Sequence, residues 1–176
     1  SACLVGSEMC IRDRWYLTDV DRDVGVATLV TGAGVSLPKL VNDLANLGWA
    51  GMEWGAGVPG TIGGGVVSNA GCHGMCIGDN LLTARVLSLR DAAHPEFFDL
   101  PPGELGLGYR RSRFRAHREI AFGPDGRPIP HPRAIFDPIE IVTGATFLLK
   151  HDEPEAIKAR VAQFKQHRKD TQPPQP

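Results

Sequence analysis

The residue types that could do chemistry cluster in one place. The stretch GAGVPGTIGGGVVSNAGCHG runs from Gly55 to Gly74, and eight of its 20 residues are glycine. Glycine permits positive φ and lets a ligand approach the backbone closely. Thr61 can cap a short helix that begins at Ile62. The N–H groups of such a turn, followed by a helix N-terminus, can converge on an anion such as a pyrophosphate. The same glycines would serve equally for tight packing of a helix against a sheet, with no ligand. The spacing is not the dinucleotide fingerprint G-x-G-x-x-G between a strand and a long helix. Nor does a lysine follow, as it does in a Walker loop.

Two further groups invite chemical readings. Cys72, His73 and Cys76 are types that bind zinc, but no second pair at suitable spacing follows, so no metal is expected. Ordinary polar residues near a turn are the preferred reading. Arg110, Arg111, Arg113 and Arg115, with Tyr109 and Phe114, have the aromatic-basic look of an RNA contact. A formal net charge of -1 and the lack of a repeated basic face argue against nucleic acid.

The elements that must position these residues follow from periodicity. Val24–Val30 alternates as a strand would, closed by Gly32–Gly34. Ser36 can cap a helix with Pro38 in its first turn, and Leu37, Leu40, Val41, Leu44 and Leu47 recur at helical spacing up to Gly48. Leu81–Arg90 reads as a long strand, Asp91–Ala93 as its turn and Phe97–Leu100 as the next strand. Ile139–Leu149 is a further strand. Asp152 and Glu155 suit a capping box, and Ile157, Val161 and Phe164 form the stripe of a helix ending near Arg168. Lys158, Arg160, Lys165 and Lys169 read as its wet side. Residues 115–137, rich in Arg, His, Pro and Gly, read as a long loop. Mixed strands and helices with short connections predict an α+β fold.

The bulk numbers bound the rest. With 176 residues, 42% hydrophobic and 22% charged, the chain suits a soluble domain with a real core. No apolar run approaches a membrane span and the start lacks the order of a signal peptide, so a cytoplasmic location is expected. Cysteines at 3, 10, 72 and 76 look like scattered thiols rather than a disulfide framework. Residues 1–14 resemble a translated adapter and are read as a junction, so nothing is drawn from Cys3, Cys10 or Arg12. Residues 15–169 form the domain, and 170–176 (ending TQPPQP) begin a linker.

Taken together, GMEWGAGVPGTIGGGVVSNAGCHG and the later GYRRSRF at 108–114 resemble the UDP-N-acetylenolpyruvoylglucosamine reductase family. That family reads G-(I/V)-P-G-(T/S)-(V/I)-G-G, then N-A-G-x-x-G, then Y-R-x-S-x-F. Arg168 and Gln172-Pro173 stand where it has R-x-x-x-Q-P. The resemblance covers residues 24–114 and returns near 139–149.

It implies the FAD-binding domain of the vanillyl-alcohol-oxidase (PCMH) type, here its incomplete C-terminal part. Gly57, Val58, Pro59, Gly60, Thr61, Ile62, Gly63 and Gly64 would run past the FAD pyrophosphate toward the flavin. Asn69, Ala70 and Gly71 would belong to the same wall. Tyr109 and Arg110 would face the substrate, with Arg110 binding its carboxylate and stabilising developing charge. Ser112 would be a polar neighbour only.

The implied reaction is NADPH-dependent, FAD-mediated reduction of UDP-N-acetylglucosamine enolpyruvate to UDP-N-acetylmuramate in cell-wall precursor synthesis, with no obligate protein partner. The family's proton-donating serine and its glutamate lie beyond R-x-x-x-Q-P, and its glycine-rich N-terminal segment precedes the matched part. The piece alone is therefore expected to be inactive. Alternatives are a flavin oxidase of the same fold or a nonenzymatic FAD-binding domain. His73 stands where relatives carry an aromatic residue; a covalent flavin link at His73 or Cys72 is a lesser reading.

Overall fold

The computed structural model describes residues 14–89, 91, 93–115 and 140–171. The expectations for residues 1–13, for Arg90, for most of the 115–137 loop and for 172–176 lie outside them.

Alternating burial along the strands sets up the sheet. β1 (Trp15–Asp21) and β2 (Val26–Gly32) form an antiparallel hairpin. Its turn is held by the Asp21 carboxylate, which accepts from the amides of Asp23 and Val24 at 3.0 Å each. This makes Val24 part of the turn rather than the strand. β6 (Leu81–Ser88), β7 (Glu96–Leu100) and the long β8 (Glu140–His151) complete an antiparallel sheet in the order β1-β2-β8-β6-β7. The two-residue β3 (Trp49–Ala50) pairs with the far end of β8, beyond β6.

Register places Ala27, Leu29 and Thr31 of β2 beside Leu149, Phe147 and Ala145 of β8. All six are buried. Their face carries the helices.

α1 (Leu37–Leu47) buries Leu37, Leu40, Val41, Leu44 and Ala45, the i, i+3, i+4, i+7, i+8 stripe that an amphipathic helix presents to a core. Pro38 occupies its first turn, and Gly48 ends it in the left-handed conformation at φ 78°. The predicted Ser36 cap is present in position only, because its side chain makes no capping hydrogen bond.

α3 (Pro154–Thr171) lies beside α1 and buries Ile157 and Val161. It runs on past Arg168 to Thr171. The expected Asp152/Glu155 capping box does not form. The Asp152 carboxylate instead accepts from the Glu153 amide and from Arg160, and Glu155 accepts from Lys158. Proline at the first helical position needs no partner for a missing N–H, which leaves Glu153 as the flanking residue.

Arg160 is also not on a wet face. It donates to Glu53, which is only 8% exposed, through Nε at 3.1 Å and Nη2 at 2.9 Å. Among the described residues, no helix is long and apolar enough to cross a membrane.

Candidate functional site

The glycine-rich stretch folds as a sequence of tight turns between the first helix and the sheet. A 3-10 turn (Glu53–Gly55) leads to Gly57 at φ 76° and Gly60 at φ 135°, then to α2 (Ile62–Ser68). Thr61 caps α2 as its sequence predicts, its Oγ1 accepting from the Gly64 amide at 3.3 Å.

The stretch is zipped to the loop after β2. The Leu37 amide donates to the Gly60 carbonyl, the Ile62 amide to Val35 and the Gly63 amide to Ala33, at 2.9–3.0 Å. The Gly65 amide donates to the Thr61 carbonyl at 2.8 Å. The first amides of α2 are therefore satisfied within the chain, where the sequence had suggested that they could aim at an anion.

The glycines then divide by what surrounds them. A Cβ on Gly63 would sit 2.7 Å from the Ala33 Cβ, and one on Gly65 2.8 Å from the Ile77 Cδ1. Gly71 leaves 2.5 Å to the Met75 carbonyl across the hairpin of β4 (Gly71–Cys72) and β5 (Met75–Cys76). Close packing explains those three. Gly57, Gly60 and Gly64 are exposed; a Cβ on Gly60 would meet nothing within 4 Å, and one on Gly64 only the Thr61 Oγ1 at 3.6 Å. They present bare backbone along one outer edge, with Val58 and Pro59 between.

Asn69 ends α2 in the left-handed conformation at φ 42°. Its side chain is committed at both ends: Nδ2 donates to the Gly108 carbonyl at 2.9 Å and Oδ1 accepts from the Gly78 amide at 3.3 Å. The buried Ser112 hydroxyl donates to the Val67 carbonyl at 2.6 Å. These two bonds fix the turn Gly108–Arg111, closed by reciprocal amide–carbonyl bonds of 3.0 and 3.1 Å.

The tip of that turn carries Tyr109, 95% exposed, and Arg110, whose guanidinium comes within 3.5 Å of the Gly71 carbonyl. Arg110 adopts φ 55°, a conformation that costs a non-glycine residue about 1 kcal/mol or more. Asn69→Ala should lose both pins and cost ~1–3 kcal/mol, read as a lowered melting temperature. Asn69→Asp, which keeps the acceptor for Gly78, should cost less.

Sequence reasoning missed one member. Gly57 lies against Arg168 of α3; a Cβ on that glycine would be 3.4 Å from the Arg168 Cδ. The signal was present, since Arg168 falls in the fourth landmark, but no local pattern says which turn a helix end will meet. Two other arginines of that run are occupied otherwise. Arg113 pairs with Glu140 at 2.8 Å and Arg115 donates to the Arg110 carbonyl.

Cys72 and Cys76 are free thiols. Burial and the neighbouring Asp79 push the Cys76 thiol up, so it stays protonated and donates to that carboxylate at 3.2 Å. No group of three or more possible metal ligands occurs among the described residues.

Comparison with known proteins bears on this arrangement. A family of FAD binding domains matches residues 16–92. The UDP-N-acetylenolpyruvoylglucosamine reductase of Nostoc sp. is 38% identical over 157 residues, 89% of this chain and 39% of that protein. The reductase of the same name from Rubrobacter xylanophilus is 34% identical over 149 residues, 85% of this chain and 42% of its own. The crystal structure of UDP-N-acetylenolpyruvylglucosamine reductase from Thermus caldophilus superposes with a TM-score of 0.62 at 32% identity, covering 83% of this chain and 44% of that one. The chain thus spans 39% of the length of the first of these relatives.

Proposed function

Because the chain matches the UDP-N-acetylenolpyruvoylglucosamine reductase family over that share of its members' length, we propose that it supplies the C-terminal part of an FAD-binding domain in such a reductase. The reaction would be NADPH-dependent reduction of UDP-N-acetylglucosamine enolpyruvate to UDP-N-acetylmuramate. The observation that carries this reading is spatial: three parts of the chain far apart in sequence come together. The stretch Gly57–Gly71 is approached at Gly71 by Arg110 and at Gly57 by Arg168.

The residues present fit FAD. Gly57, Gly60 and Gly64 leave open backbone where side chains would stand, and a large planar or phosphorylated ligand needs that close approach. Since the amides of Ile62, Gly63 and Gly65 are taken by carbonyls, the turn itself rather than the end of α2 would meet the pyrophosphate. FAD held there would supply the hydride-transfer chemistry between NADPH and the enolpyruvyl group.

The chain's own part is to bind and polarise. Asn69 and Ser112 hold the Gly108–Arg111 turn, so that Arg110 is presented at a fixed place. Its permanent charge and planar fork suit the substrate carboxylate and the negative charge that develops beside it. Tyr109, exposed at the same tip, offers a face and a hydroxyl to the sugar nucleotide.

An anaerobic visible spectrum, with FAD, of a full-length reductase that carries this segment tests the reading. Bleaching of the flavin band on adding NADPH, and its return on adding the UDP-sugar, is expected. Bleaching without return would assign another substrate and favour an oxidase of this fold, and failure to bind FAD would remove the reading altogether. Arg110→Gly gives a sharper test. It relieves the strained φ and should raise stability by about 1 kcal/mol, while slowing return of the flavin band on substrate addition at least tenfold. An unchanged reoxidation rate would take Arg110 out of the site.

A further inference from the structure

His73 belongs to the β4–β5 hairpin, at its tip, with φ 57°. Its ring stacks on Phe164 of α3, with centroids 4.3 Å apart and planes 14° from parallel. His167, one turn of α3 further on, meets it edge-on at 5.1 Å. The His73 Nε2 is buried and has no hydrogen-bond partner. A neutral imidazole with its proton on Nδ1 tolerates this, because a bare ring nitrogen loses one acceptor bond. An imidazolium would bury a charged N–H with nothing to receive it, at a much larger cost.

We propose that His73 is a positioning residue: as a neutral ring stacked on Phe164 it holds the last turns of α3 to the β4–β5 hairpin, and thereby holds Arg168 beside Gly57.

Two charged groups act on it from α3, His167 and the Arg168 guanidinium, and both disfavour an added proton. From the hairpin come the thiols of Cys72 and Cys76, Arg110 lies against the Gly71 carbonyl, and the Asp79 carboxylate accepts from the Cys76 amide and thiol. Burial first, then the charges of His167 and Arg168, hold His73 below its usual 6.5. When α3 is undocked the ring regains that ordinary value. Docking is therefore at full strength above pH 6.5 and weakens as pH falls from 6.5 toward the lowered, docked value. It weakens by about tenfold for each pH unit between the two.

What this means for cofactor binding rests on the reading of Gly57–Gly64 as the FAD turn; the docking does not. The test is carried out on the chain, with His73 followed by NMR titration and the amides of residues 164–171 by hydrogen exchange, from about pH 7.5 down to about pH 5. FAD affinity is measured at the same pH values.

The wild type should titrate His73 below 6.5 and lose protection of 164–171 as pH falls. His73→Phe keeps the stack without the proton and should hold that protection down the whole range. His73→Ala should lose it at every pH. FAD affinity should follow protection in all three. A His73 that titrates at or above 6.5, or the same acid loss in His73→Phe, would overturn the proposal, the second by placing the acid-sensitive group elsewhere. If protection behaves as stated but FAD binds at no pH, the latch stands and the cofactor reading of the turn fails.

Discussion

Replacing Gly64 by alanine is expected to make the protein more stable and, in the same variant, to weaken FAD binding about tenfold or more, the equivalent of ~1.4 kcal/mol. Gly64 lies in the first turn of α2, is exposed, and has an ordinary negative φ; an added methyl would touch only the Thr61 Oγ1, at 3.6 Å. Nothing in the chain's own packing calls for glycine there, and alanine is the better helix former by roughly 0.5–1 kcal/mol. A ligand lying against the backbone is the remaining reason for glycine.

Gly63 makes the contrast. Its added Cβ would stand 2.7 Å from the Ala33 Cβ and 3.2 Å from the Ala33 carbonyl oxygen. Neither can swing away, so Gly63→Ala should cost ~1–3 kcal/mol by overpacking. Gly60 is uninformative in such a pair, since φ 135° already demands glycine. Thermal melts and FAD titrations of the two variants separate the roles. Gly64→Ala binding FAD as tightly as the parent would mean that the cofactor does not lie along this edge.

The sequence made the regular elements legible where one period dominated. The α1 stripe named four of its five buried residues, because apolar positions at helical spacing, a proline and a terminal glycine all agree; the fifth is Ala45, and Leu47, expected in the stripe, is exposed where the helix ends. β8 and β6 were visible for a similar reason, as long apolar runs between turn signals. β1 was not, because WYLTDVD mixes half-buried and exposed positions at a sheet edge, where one neighbour is solvent. The site was legible as a glycine count but not as a geometry. Composition does not distinguish Gly63, which packs, from Gly64, which faces out; the distinction comes from Ala33, 30 residues earlier. Arg168 and His73 needed the docking of α3, which depends on contacts across nearly the whole described chain.

The clearest case of such a long-range decision is Arg160, and Arg160→Ala is expected to be the most damaging change among the four cations read as the wet side of α3. On sequence it is one of four cations spaced along a polar helix. In the fold its guanidinium joins the Glu53 Oε1 at 2.9 Å to the Asp152 Oδ2 at 2.7 Å, with Nε adding a second bond to Glu53. Glu53 otherwise accepts from the Gly51 amide at 2.6 Å, so removing Arg160 leaves a nearly buried carboxylate with one donor. Breaking a fully buried pair costs about 3–5 kcal/mol; the arginine side chain here is 38% exposed, and that screening brings the expectation to ~2 kcal/mol.

Asp152 adds a pH signature. The Arg160 hydrogen bond, ahead of the Glu153 amide, holds its carboxyl below the usual 3.8. That contribution is in place above pH 3.8 and is lost as pH falls toward the lowered folded value, so part of the variant's deficit should vanish in strong acid. Arg160→Lys should recover only a fraction, because a single ammonium cannot span both carboxylates as a fork does.

The loss should also reach the glycine edge. Glu53 opens the 3-10 turn that delivers the chain to Gly57, so Arg160→Ala should weaken FAD binding without touching the ligand. A melt shifted as expected with FAD affinity unchanged would show that the turn keeps its shape without this clamp, and that α1 and the Ala33–Val35 loop suffice to hold it.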